Sequence, residues 1–269
     1  MTPCTAFSTT SLSFTPGTAT RTFMDDSFIK IEPGVFRIRP SHPGFNAGVI
    51  GKEKNKIDCS GDIAGYRPFE KALVSSITGI PEKDIVFMRQ VHEDSIMHID
   101  RPPEKNELYA GDADGLITHC AGICIMIRTA DCVPVFVFDP RRGIIGAAHS
   151  GWRSARLGIC RKLLEKMKSL YGSDPHDVHA FILPSIGPDS YMVKSDVGDL
   201  FPDDIAVKDD NIYLNLWQNI TKALMAEGVP GKNIFNAGIC TLKNSDEFYS
   251  HRAGDTGRNL NFCYMSESC

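Results

Sequence analysis

Three apolar runs follow one another in the middle of the chain, Ile123 to Arg128, Val133 to Phe138 and Ile144 to Ala148. Their length and Pro134 argue against a buried helix, so all three predict strands. Asp139 to Gly143 (DPRRG) is the hairpin turn between the last two. Runs this continuously apolar predict a sheet covered on both faces. Upstream, Phe36 to Ile38 and Ala47 to Ile50 alternate as short strands broken by Pro and Gly. Pro68 opens a helix with Phe69, Ala72, Leu73 and Ile77 on one face, and Gly79 with Pro81 ends it. Ile85 to Val91 predicts a strand running into His92, with Ser95 to Ile99 as its partner after a tight turn.

Beyond Trp152, Leu157, Cys160, Leu163, Leu164, Met167 and Leu170 recur at helical spacing, and Gly172 caps the run. Arg161, Lys162, Lys166 and Lys168 face outward. A strand at Val178 to Leu183 and a helix from Leu216 to Glu227 follow. Strands and helices alternate without a repeat or an internal linker, which predicts one layered α/β domain over residues 25–269.

Composition narrows this picture. A chain of 269 residues can bury a substantial core. Its formal net charge of -4 argues against broad binding to nucleic acid or anionic membranes. No apolar run approaches the roughly 18 residues of a membrane span. Nine cysteines, scattered through a chain this long, form no compact disulfide framework and point to a reducing, cytoplasmic compartment. Residues 1–24 are rich in Ser and Thr, with Arg21 as their only charge. A transit peptide would carry more Arg, so they read as a disordered tail.

Candidate chemistry lies at the ends of the apolar runs. His92, Cys132 and His149 are expected to converge, because a catalytic zinc takes three protein ligands and keeps one position for water. Their spacings of 40 and 17 residues are not those of a local finger, so convergence must come from strand ends meeting in space. Taken singly, each His also fits a hydrogen-bonded core or edge residue. Asp131 stands beside the thiol after a buried strand, where an unpaired carboxylate is costly, and is a candidate to fix a ligand or move protons. His149-Ser150-Gly151-Trp152-Arg153 reads as a strand-to-helix turn. Its Gly permits close approach, the first helical N–H groups favour an anion, and Arg153 adds a positive charge matched to phosphate.

Four segments, Arg89-Gln90-Val91-His92, Ala113-Asp114-Gly115-Leu116-Ile117-Thr118, Thr129-Ala130-Asp131-Cys132-Val133-Pro134 and Ala148-His149-Ser150-Gly151-Trp152-Arg153, occur in the order of a known signature set. They resemble the laccase-domain family, labelled multicopper polyphenol oxidase but understood as purine nucleoside phosphorylases. The similarity runs from about Asn46 to the C-terminus, through Ser185-Ile186-Gly187-Pro188 and Thr256-Gly257-Arg258. It implies zinc on His92, Cys132 and His149, and a fold similar to that of the cysteine-dependent deamidase toxins. It also implies phosphorolysis of adenosine, inosine, guanosine and methylthioadenosine, together with deamination of adenosine. The chain departs from the family pattern at Ser154 and Leu183, where Gly is usual, at Asp189, where Cys is common, and at Met192, where a Glu is usual.

On this reading a purine nucleoside and phosphate bind beside the zinc, and Arg89, Arg153 and Arg258 are the candidates to hold the phosphate. Three alternatives stand beside it. Cys132 with His149 as base would make a metal-free thiol hydrolase. Copper suits the donors, although a type-1 centre plus a trinuclear cluster needs more imidazoles than the eight here. A structural zinc would require a fourth ligand, with His119, Cys120 and Cys124 nearest in sequence.

Overall fold

The computed structural model describes residues 28–38, 43–57, 67–101 and 111–266. The N-terminal tail read from residues 1–24 lies outside them. Most strands fall into two six-stranded mixed sheets. The first runs in the order β1 (Phe28–Glu32), β2 (Val35–Ile38), β3 (Phe45–Ile50), β15 (Asn259–Met265), β7 (Cys124–Thr129) and β4 (Ile85–Phe87). The second runs β14 (Ile234–Asn236), β10 (His179–Ile182), β8 (Val133–Asp139), β9 (Ile144–Ser150), β6 (Gly115–Thr118) and β5 (Ile96–Ile99). A small third sheet joins β11 (Met192–Val193), β13 (Asn211–Leu214) and β12 (Ile205–Lys208). The helices are α1 (Arg67–Thr78), α2 (Trp152–Arg156), α3 (Ile159–Tyr171), α4 (Ser195–Gly198) and α5 (Leu216–Ala226). None of the described helices is long and apolar enough to cross a membrane.

Side-chain alternation explains why the central strands are apolar throughout. In β7, Ile125 and Ile127 point into a core shared between the two sheets, while Cys124 and Met126 point toward α1. In β8, Phe136 and Phe138 enter the shared core, while Val133, Val135 and Val137 meet α3 and α5. The layers are therefore α1, first sheet, second sheet, then α3 with α5. The three successive strands predicted from the sequence do not share one sheet. The chain crosses from the first sheet to the second between β7 and β8, at Ala130-Asp131-Cys132.

Several local expectations change. The strand running into His92 stops at Phe87, because Arg89 turns off to bridge Asp112. Ile96–Ile99 is no partner for it, and pairs in parallel with β6 in the other sheet. The α1 face is rotated, so that Phe69 is 67% exposed while Glu70 and Val74 are buried. Glu70 can be buried because Arg128 of β7 donates to it at 2.7 Å. The helix after Trp152 is broken in two at Gly158, whose φ of 77° is left-handed. Leu157 and Leu170 are exposed, whereas Cys160, Leu163, Leu164 and Met167 face the second sheet as the spacing predicts.

Candidate functional site

His92, Cys132 and His149 come together, with one potential ligand atom from each lying within 4.8 Å of the others. Cys132 is carried by the crossing between sheets, immediately before β8. His149 is on β9, paired in register with Pro134 of β8. Both strands lie inside the second sheet, so the ligands arise at strand ends and not at a sheet edge. His92 comes from a turn with a φ of 62°, a left-handed conformation uncommon outside glycine. The His92 and His149 rings meet edge to face at 4.8 Å, and Cys132 Sγ lies 3.9 Å from His92 Nε2. A Cβ on Gly151 would stand 3.0 Å from Cys132 Sγ and 3.2 Å from His92 Cδ2. The close approach that this glycine permits is thus to two of the three candidate ligands, Cys132 and His92. The helix it opens, α2, has only five residues.

Asp114 organises two of the three candidate ligands. Its Oδ1 accepts from His149 Nδ1 at 2.7 Å, which leaves Nε2 of that ring to face the centre. Its Oδ2 accepts the backbone N–H groups of Val91 at 3.1 Å and Glu93 at 2.7 Å, clamping the turn that presents His92. Burial alone would raise this carboxyl, but the His149 ring and the N–H groups of Glu93 and His92 hold it below its ordinary value. Asp114 does not stand out in the sequence, where nothing local joins it to His149, 35 residues away.

The thiol is activated. Burial would push Cys132 up, yet His149 and His92 draw it down to about 6. Burial would likewise lower His149, but the Cys132 thiolate and Asp114 raise it to about 9. Cys160, by contrast, is pushed up to about 12 by burial, as befits a core thiol. Two nitrogens and one sulfur, oriented through Asp114 and with His92 exposed, fit a divalent ion that keeps a position open. Among the described residues no fourth His, Cys, Asp or Glu joins the group. His119 Nδ1 faces Tyr171 Oη at 2.9 Å, and Cys124 is in the core under α1.

The remaining predicted residues divide. Asp131 adjoins the centre, but its Oδ1 accepts from Thr241 Oγ1 at 2.7 Å and its Oδ2 from Arg252 N at 2.8 Å. Its carboxylate ties loops together. Arg153 rests its guanidinium 4.5 Å from the Trp152 ring centroid. Its charge and those of Cys132, Asp131 and Arg252 all act on the Tyr191 phenol, which burial chiefly pushes up to about 12. Arg89 is paired with Asp112, and Arg258 Nη1 donates at 2.8 Å to the carbonyls of Thr256 and Gly257. At the departures from the family pattern, Ser154 and Leu183 are buried, Met192 is exposed, and Asp189 pairs with Lys208.

Two mixed sheets packed face to face, with a His–Cys–His centre at their strand ends, define an α/β protein with one candidate metal position among the described residues. The family described as multi-copper polyphenol oxidoreductase laccase matches residues 69–266, and the chain belongs to it. A Bacteroides thetaiotaomicron protein named purine nucleoside phosphorylase is 34% identical over 209 residues, covering 72% of this chain and 77% of that one. The Bacillus subtilis purine nucleoside phosphorylase YlmD is 31% identical over 198 residues, covering 68% and 71%. The crystal structure of YlmD from Geobacillus stearothermophilus superposes with a TM-score of 0.81 at 26% identity, covering 90% of this chain and 99% of that one. A Bacillus licheniformis protein, YfiH, does so equally well.

Proposed function

We propose that this chain is a zinc-dependent purine nucleoside phosphorylase that also deaminates adenosine, working in the cytoplasm. Its substrates on this reading are adenosine, inosine, guanosine and methylthioadenosine, cleaved by phosphate to base and ribose-1-phosphate. The observation that carries the proposal is the convergence of His92, Cys132 and His149 under Asp114, in a family whose relatives are named for that activity. Zinc held by these three residues would supply a Lewis acid next to the bound nucleoside. Asp114 accepts a hydrogen bond from His149 Nδ1–H, so Nε2 keeps a lone pair with which it would coordinate the ion. Phosphorolysis builds positive charge on the ribose as phosphate approaches C1′, and the anionic phosphate, held by cationic side chains, stabilises that charge. Arg153, exposed and steadied by Trp152, is the predicted phosphate ligand best placed to serve. Copper is disfavoured, since the described residues supply one ligand cluster rather than the several a multicopper oxidase needs.

Incubating zinc-loaded protein with adenosine, with and without phosphate, tests this directly. Adenine plus ribose-1-phosphate is expected only with phosphate, and inosine in both cases. Cys132→Ala is expected to abolish both activities and zinc retention. Phosphorolysis by a Cys132→Ala protein without bound metal would overturn the zinc reading.

A second reading is favoured by one observation, the depressed Cys132 thiol facing a protonated His149. In such a pair His149, as base, already holds the thiol proton. That would leave Cys132 as the nucleophile of a metal-free hydrolase and His149 to return the proton to the leaving group. A substrate-derived adduct on Cys132 in metal-free protein would support it.

A further inference from the structure

We propose that Arg252 binds the anionic co-substrate of this site, and that Asp131 is the positioning residue that holds Arg252 there. The inference rests on the phosphorylase reading for the identity of the anion, inorganic phosphate, but on geometry for the place.

Arg252 belongs to a polar loop, Ser250-His251-Arg252-Ala253-Gly254, which in sequence looks merely solvated. The fold gives it a defined station. Its backbone N–H donates to Asp131 Oδ2 at 2.8 Å, one residue from the Cys132 thiol. The other oxygen of Asp131 is held at 2.7 Å by Thr241, which is fully buried. Asp131 itself is 7% exposed and takes a φ of 81°, so it stays left-handed between the first sheet and the second. Its own carbonyl accepts from Ile186 N at 3.0 Å, tying in the Ser185-Ile186-Gly187-Pro188 loop. Three loops are thereby gathered on one residue beside the centre.

The guanidinium of Arg252 then lies 5.1 Å from the centroid of Tyr191. Among the described residues it makes no ion pair with a carboxylate, although its side chain is exposed. This separates it from the other cations considered for the site. Arg89 is neutralised by Asp112, and Arg258 is engaged by carbonyls of its own loop. A guanidinium over an aromatic ring, with no carboxylate partner, keeps N–H groups to offer, and those groups match the oxygens of a phosphate. Arg153 is held in the same manner on Trp152. Tyr191 feels both arginines and the thiol, which puts the two cations in the neighbourhood of Cys132. Two arginines resting on rings, rather than on acids, make a clamp for a dianion.

The test varies phosphate at saturating adenosine with zinc-loaded enzyme. Arg252→Ala should raise the KM for phosphate by at least about tenfold, the loss of a charge-assisted hydrogen bond. The KM for adenosine and the zinc content should stay at wild-type values, and Arg252→Lys should fall between. Asp131→Asn should move the same KM, and the double variant Asp131→Asn/Arg252→Ala should add little to Arg252→Ala alone, as expected of coupled residues. Calorimetry with inorganic phosphate, without nucleoside, should show binding to wild type and its loss in Arg252→Ala. Unchanged phosphate KM and phosphate binding in Arg252→Ala would overturn the inference. So would loss of zinc in both Arg252 variants, which would make the residue structural. If wild type binds phosphate through Arg252 yet forms no ribose-1-phosphate, the phosphorylase reading fails while the anion site stands.

Discussion

One carboxylate, Asp114, sets the orientation of His149 through its ring and of His92 through the backbone on either side of it. Replacing such a partner weakens a metal site by roughly 10–100-fold. Asp114→Asn is accordingly expected to lower zinc affinity within that range, read by competition with a chromophoric chelator, while far-UV circular dichroism stays unchanged. Unchanged affinity would remove the orienting role. The thiol supplies a pH prediction. A Cys132 pKa drawn from the usual value near 9 down to about 6 means that thiolate is present above about 6 and is lost as pH falls through it. In metal-free protein, alkylation of Cys132 should rise with a midpoint near that pH. His149→Ala should shift the midpoint upward, because the burial that remains favours the neutral thiol. Zinc should suppress the reaction at every pH. The three residues that converge were legible as reactive residues closing apolar runs. Asp114 and Arg252 were not, because each acts on partners distant in sequence: 35 residues to His149 and 121 to Asp131.

Among the elements, α1 shows how a buried charge rotates a helix. Spacing assigns Phe69 to the core face, but Arg128 on β7 needs a counter-charge, and α1 turns Glu70 toward it instead. The same strand end is tied to the His92 turn: Gln90 Nε2 donates to the Arg128 carbonyl at 2.7 Å, and Arg128 N donates to Gln90 Oε1 at 2.9 Å. Glu70→Ala leaves Arg128 buried without this carboxylate, at a cost of about 3–5 kcal/mol. Calorimetry should show a Tm lower by roughly 10 °C. A change within 2 °C or so would mean that the pair contributes nothing net. The break between α2 and α3 has a similarly local cause, since Gly158 takes a conformation that a continuous helix cannot contain.

On the scale of the molecule, the centre lies outside the three apolar clusters that hold the layers together. The fold should therefore persist without metal. Chelated protein is expected to keep its secondary structure and a cooperative transition, with a Tm that climbs as zinc is restored in proportion to the logarithm of free metal. Collapse to an unfolded state on chelation would make the ion structural. The layered α/β class and the covered strands β7, β8 and β9 were set by the sequence itself, because their period and length depend only on neighbouring residues. The existence and buried face of α3, and the reactive residues at the strand ends, were readable on the same ground. Tertiary structure alone decided that β7 and β8 belong to different sheets, that β5 pairs away from β4, and that Asp114 rather than Asp131 bonds the His149 ring. Those outcomes depend on which strands and loops find one another across the chain, and hydrophobic pattern carries no label for its partner.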